Sequence, residues 1–152
     1  MKKIAILVMS LFVINCASPK GIKSSGTGDN RTRPVEFIDH NTFMIVEKSS
    51  DNTYGYTEAN PVKVGEVHNQ SGPLNERRFL NALLGPNGQP VQYFRLGSFC
   101  HFKTPNGLVD NTGFLDIYKV FWSGSKDTLS IYINMYDEGD PYIPTGLTAK
   151  TK

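Results

Sequence analysis

The chain has 152 residues, 39% hydrophobic and 20% charged, with 16 Lys+Arg against 14 Asp+Glu. That length supports one domain with one core, and no internal repeat divides it. Loss of Lys2 and Lys3 with a leading segment leaves cations and anions equal in number, which excludes a protein that grips nucleic acid through a basic surplus.

Lys2 and Lys3 precede an apolar run from Ile4 to Ile14, broken only by Ser10. A membrane-spanning helix needs about 20 apolar residues, so this shorter run reads as a secretion signal rather than an anchor. Val13-Ile14-Asn15-Cys16 resembles the lipobox of bacterial lipoproteins, with Val13 in the usual leucine position and Asn15 in the usual small-residue position. The resemblance implies cleavage before Cys16 and a diacylglycerol on its thiol; a plainly secreted chain is the alternative. Stable attachment takes two acyl chains or more, at about 0.8 kcal/mol per buried methylene. Ala17, where the lipoprotein sorting pattern of Gram-negative cells uses aspartate for inner-membrane retention, implies the outer membrane. A lipid on Cys16 also excludes a disulfide with Cys100, the only other cysteine. Cys100 is then expected to be small core filling.

From Ala17 to Arg33 only Ile22 is a large aliphatic and there is no aromatic. Such a stretch buries too little apolar surface to offset its ordering entropy and reads as a tether, with a reach of roughly 20–25 Å. The expected organisation is therefore a signal peptide over residues 1–15, a lipidated cysteine and flexible tether over 16–33, and a single domain over 34–152 with an irregular C-terminal tail.

Within that domain, Phe43 to Lys48 favours a strand, with a turn at Asp51-Asn52. Pro61 to Val67 alternates, placing Val62, Val64 and Glu66 on one face, and Pro61 fits a strand start. Gly72-Pro73 opens a helix and Gly85-Pro86 closes it. Phe79, Leu80, Leu83 and Leu84 share its apolar stripe, with Glu76, Arg77 and Arg78 expected to look outward. A strand follows from about Val91 to Phe102, broken near Gly97, and another from Phe114 to Trp122. Leu129, Ile131, Ile133 and Met135 alternate with Ser130, Tyr132, Asn134 and Tyr136, a half-buried strand joined to its predecessor as an antiparallel hairpin. The fold class is α+β, a small antiparallel sheet of about five strands covered by one helix.

The segments "YGYTEANPVKVG", "GPLNERRFLNALLGPNGQPVQYFRLGSFCHFKT", "GFLDIYKVFWSG" and "LSIYINMY" resemble a family of small bacterial envelope lipoproteins of unestablished activity. The resemblance runs from Tyr54 to Tyr136, and some members carry the label 2-dehydro-3-deoxyphosphooctonate aldolase. Enzymes of that name resemble (β/α)₈ barrels, which need about 250 residues and alternating helices. The resemblance thus implies location and fold rather than that chemistry.

Among candidate sites, Cys100-His101 has nucleophile chemistry, but adjacent strand residues face opposite sides unless the strand is bulged. His40, His68 and His101 sit in separate segments with no metal-binding spacing, so no metal or other cofactor is expected. Asp137, Glu138 and Asp140 form an acidic turn without the full oxygen set of a calcium loop, expected to be a solvated strand end. Arg77 and Arg78 are expected on a solvated helix face. Tyr132, Asn134 and Tyr136, with Tyr118 on the neighbouring strand, are the candidate binding face: rings with a polar handle suit a glycan or peptide. The functional expectation is a lipid-anchored envelope domain with a non-catalytic binding or scaffolding role. Its partners are the membrane and an unidentified envelope protein or glycan. The alternative is an envelope enzyme using Cys100, or the aldolase activity named for relatives.

Overall fold

The alternation of Leu129, Ile131 and Ile133 with polar neighbours produces the centre of the sheet. In the computed structural model, which describes residues 28–152, the elements are β1 (Glu36–Asp39), β2 (Thr42–Met44), β3 (Val62–Lys63), α1 (Gly72–Ala82), β4 (Leu83–Leu84), β5 (Val91–Lys103), β6 (Thr112–Trp122), β7 (Leu129–Asn134) and β8 (Thr148–Ala149). The expected signal, Cys16 and the expected tether up to Thr27 lie outside the described residues. The main sheet has the order β3-β7-β6-β5. Its β5–β6 and β6–β7 pairs are antiparallel, whereas β3 runs parallel to β7, with α1 and three strands intervening in the chain. β1 pairs with β2 and β4 with β8, giving two further small sheets. The α+β expectation therefore stands, with one parallel pairing and three sheets in place of one. No helix among the described residues is long and apolar enough to cross a membrane.

One face of the main sheet carries Tyr118 and Val120 from β6 and Ile131 and Ile133 from β7, because directly paired residues share a face. Phe79 and Leu80 of α1, with Phe43 of β2 and Ile143 and Leu147 of the C-terminal segment, complete that core. Burying each such side chain contributes about 1.5–3 kcal/mol. The tail is thus less irregular than expected. Ile143 bridges Lys48, and β8 pairs with β4.

Three expectations are corrected here. The helix ends at Ala82 rather than near Gly85, because Leu83 turns extended (φ −76, ψ 150) and pairs with Ala149. Glu76 does not look outward: it is fully buried against the sheet. The segment before Pro34 is not all tether, since residues 28–33 are bound to the domain through the hydrogen bonds described below.

β5 carries two bulges, one at Leu96 and one at Cys100. Each inserts an extra residue and shifts the facing pattern by one. The first places Arg95 and Ser98, three apart in sequence, opposite Tyr118 and Asp116 on the helix side of the sheet. The second holds Cys100 at φ +51, a left-handed conformation that costs a non-glycine residue energy and persists only where its surroundings hold it.

Candidate functional site

Glu76 falls at the helix position one turn before Phe79 and Leu80, so the stripe that buries those residues also buries its carboxyl. There it meets β6. Tyr118 Oη donates to Glu76 Oε2 at 2.9 Å. Asp116 sits two residues away on the same strand face, where Arg95 grips it bidentately, Nε to Oδ2 at 2.7 Å and Nη2 to Oδ1 at 2.9 Å. Ser98 Oγ adds a 2.5 Å bond to Oδ1, and Arg95 Nη2 also contacts Ser98 Oγ.

Burial, and then the neighbouring Asp116 charge, push the Glu76 carboxyl up to about 8. At neutral pH it keeps its proton. Oε1 is buried with no hydrogen-bond partner among the described residues, and a protonated carboxyl leaves no unanswered charge there. Burial and the adjacent Glu76 likewise raise the Tyr118 phenol above its ordinary value. A carboxyl with a displaced protonation equilibrium is the raw material of acid–base catalysis. Here, however, Glu76 is 0%, Asp116 3% and Tyr118 5% exposed. The Arg95 side chain, 47% exposed, and the exposed Ser98 connect the cluster to solvent. The arrangement docks the helix on the sheet and stores one proton.

The acidic turn after β7 is built differently. Asp137 accepts bonds from Asn134 Nδ2 at 2.9 Å, Asn106 Nδ2 at 3.1 Å and the Thr104 hydroxyl. Arg31 Nη1 donates to Glu138 at 2.9 Å, while its Nε and Nη2 reach the carbonyls of Gly139 and Val64, each at 3.1 Å. Asp140 Oδ1 accepts from the backbone N–H of Thr32 at 3.0 Å and of Arg33 at 3.3 Å, and Oδ2 accepts from Thr32 Oγ1 at 2.5 Å. Burial pushes Asp140 up, but these bonds to Thr32 and Arg33 outweigh it and hold the carboxyl below its ordinary value. The turn is therefore a clasp on residues 28–33, not the solvated strand end expected. Among the described residues no group of three or more His, Cys, Asp or Glu is placed to hold a metal.

The candidate aromatic face is not assembled as one surface. Tyr118 pairs with Ile131 and faces the helix, whereas Tyr132 pairs with Ile117 on the opposite face. Asn134 is fully buried and accepts from the N–H groups of Tyr136 and Asp137. Tyr136 is buried with its ring edge-to-face on Phe102, centroids 6.0 Å apart. Of the four, only Tyr132 keeps partial exposure. Arg78 is no free cation either: it donates to the His40 carbonyl and to Asn75 Oδ1, both at 2.8 Å, with its guanidinium 5.1 Å from the Phe37 ring.

Cys100 is disulfide-bonded and only partly buried, which corrects the expectation of a core-filling residue outside any disulfide. The chain's other cysteine is Cys16, outside the described residues. In this bonded state Cys100 has no thiolate to offer as a nucleophile, although the bulge at Cys100 does relax the strand geometry that set it apart from His101.

An open groove of about 350 Å³ lies between the clasped segment and the 54–63 loop. Asn30, Asn60, Lys63 and Asp140 line it, and the Tyr54 and Tyr142 rings meet edge-to-face with centroids 5.8 Å apart. Tyr54 is locked in place, since its Oη accepts the Tyr142 N–H at 3.1 Å. No sequence periodicity marks these residues, which converge from three distant segments. Comparison with protein families, with curated proteins and with solved structures finds no match for this chain.

Proposed function

We propose that this chain is a cell-envelope protein whose folded domain binds or scaffolds another envelope component without catalysing a reaction. The observation that carries the reading is the division of labour among its polar groups. The one acid with a strongly displaced protonation equilibrium, Glu76, is sealed between helix and sheet, whereas the groups around the open groove are amides, hydroxyls and one charge of each sign, each bonded to neutral groups. A binding surface needs the second kind of group, and an acid–base centre needs the first kind to be reachable. A fold of short sheets with one helix also differs from the barrel that the aldolase label implies.

The lipobox-like Val13-Ile14-Asn15-Cys16 and the resemblance to envelope lipoproteins support anchoring at the outer membrane through Cys16. A second reading has its own support: the disulfide at Cys100 points to Cys16 as partner and hence to a secreted chain without lipid. One sulfur cannot carry both a thioether and a disulfide, yet both readings place the domain in an oxidising compartment outside the cytoplasm. The intact mass of the mature protein under non-reducing conditions separates them. Loss of residues 1–15 with a diacylglyceryl adduct and an alkylatable Cys100 supports the anchor. A lipid-free chain whose two thiols become alkylatable only after reduction supports the secreted form. Retention of Met1 contradicts both.

A further inference from the structure

The groove between the clasped segment and the 54–63 loop offers a recognition chemistry that can be read group by group. Its two charged side chains are of opposite sign and each is bonded to neutral groups. Asp140 is held by the Thr32 and Arg33 donors, and Lys63 Nζ donates to the Gly28 carbonyl at 2.8 Å. Lys63 has no carboxylate partner among the described residues, but together with Asp140 it leaves the lining of the groove without net charge. What remains is neutral. Among the described residues, Tyr142 Oη, Asn60 Oδ1 and the Asn30 side-chain amide have no hydrogen-bond partner, while Asn60 Nδ2 is fixed by Asp51 at 2.9 Å and Thr53 at 3.0 Å. Those bonds pin the Asn60 carbonyl in one orientation, so it needs no reorganisation to accept a bond.

The backbone around the groove argues against an extended peptide. A peptide adds to a sheet edge through main-chain bonds. Here the main chain is already paired: Asn30 N–H with the Glu138 carbonyl at 2.7 Å, Gly55 N–H with Asn60 at 2.7 Å, the Gly55 carbonyl with Tyr132 N–H at 2.8 Å, and Tyr142 N–H with Tyr54 Oη. Recognition falls to side chains, a tyrosine ring with a hydroxyl and two amides. That set matches a ligand with hydroxyls on its rim and apolar C–H faces, and the groove's volume is at the lower end of small-ligand sites, which start at roughly 300 Å³.

We propose that this groove binds a neutral oligosaccharide, with Tyr142 supplying the ring platform and Asn60 and Asn30 the hydroxyl contacts. The proposal rests on reading the domain as a binding module and names its ligand class. The test is an amide NMR titration of the mature full chain, purified from membranes in detergent, with cellotriose and with chitotriose at millimolar concentration. Shifts are expected at Asn60, Lys63 and Tyr142. Tyr142→Ala should weaken binding about tenfold or more, as loss of an aromatic anchor does. Tyr142→Phe keeps the ring packing and should weaken it severalfold. Tyr132→Ala, on the far sheet face, should leave it unchanged.

No shift with either trisaccharide overturns the proposal. So do shifts centred on Tyr132, equal shifts with triglycine, or unchanged affinity in the Tyr142→Phe protein. The mass of the same preparation reports on the anchor separately. Sugar binding by a lipid-free chain keeps the groove and removes the anchor, and a lipidated chain that ignores both sugars removes the groove alone.

Discussion

Two acidic regions lie on opposite sides of one physical divide. At the helix–sheet interface, Glu76 meets a second carboxyl and a phenol in a site closed to water, so its proton stays. In the turn after β7, Asp140 meets backbone N–H groups and a hydroxyl from residues 32 and 33, so its proton leaves early. Position along the chain does not distinguish the two carboxyls; the donor count around each does. The contrast shows that this domain uses acids as fasteners of two kinds, one closed by a proton and one closed by a charge.

The largest effect that would break this comparison concerns pH. The folded Glu76 carboxyl sits at about 8 against an unfolded value of 4.5. A raised acid contributes stability that is fully present below the unfolded value and is lost as pH rises through the folded one. Unfolding free energy from urea titrations should thus fall across the window from 4.5 to about 8, by about 5 kcal/mol at 1.36 kcal/mol per unit. Glu76→Gln, which mimics the protonated acid, should flatten that limb and be the more stable protein at pH 8. A flat wild-type profile over this range would remove the proton from the interface.

Next in size is Asp116→Asn. It takes a charged acceptor from Arg95 and Ser98 and turns an amide donor toward a guanidinium, at a cost of about 2–3 kcal/mol. It should also lower the Glu76 midpoint in part, because burial, the larger cause, remains. Asp140→Asn sharpens the other side. A lowered carboxylate contributes stability present above the unfolded value and lost as pH falls through the folded one. The substitution should cost about 1 kcal/mol at neutral pH, reduce acid sensitivity, and speed hydrogen exchange at the Thr32 and Arg33 amides. Smallest of all is Arg33→Gln. Its pair with Glu47 is on the open surface, and the melting temperature should stay where it is.

Much of the architecture was legible in the sequence. The helix start at Gly72-Pro73, the β6–β7 hairpin and the α+β class follow from period and punctuation. The buried acid was half legible. Glu76, Phe79, Leu80 and Leu83 stand at the i, i+3, i+4, i+7 spacing of one helical face, so the geometry pointed inward, and only the habit of placing carboxylates in solvent pointed out. Its partners were hidden more deeply. Strict alternation sets Arg95 and Ser98 on opposite faces, and a bulge at Leu96 brings them together; nothing in the residues alone announces a bulge there. Periodicity also continued the last long strand to Tyr136, but Asn134 bends the chain by capping the Tyr136 and Asp137 amides, which dissolves the expected aromatic face. The groove was illegible, since Asn30, Asn60 and Tyr142 meet only through tertiary contacts between loops.

The proton at the helix–sheet interface is tested most directly by carbon-detected NMR titration of the Glu76 side-chain carboxyl in the full chain. A midpoint near 8, with the helix still docked, is the result expected here. A midpoint near the ordinary value of 4.5 would mean an ionised Glu76 at neutral pH and a cluster open to water, and the division between sealed acid and open groove would not hold.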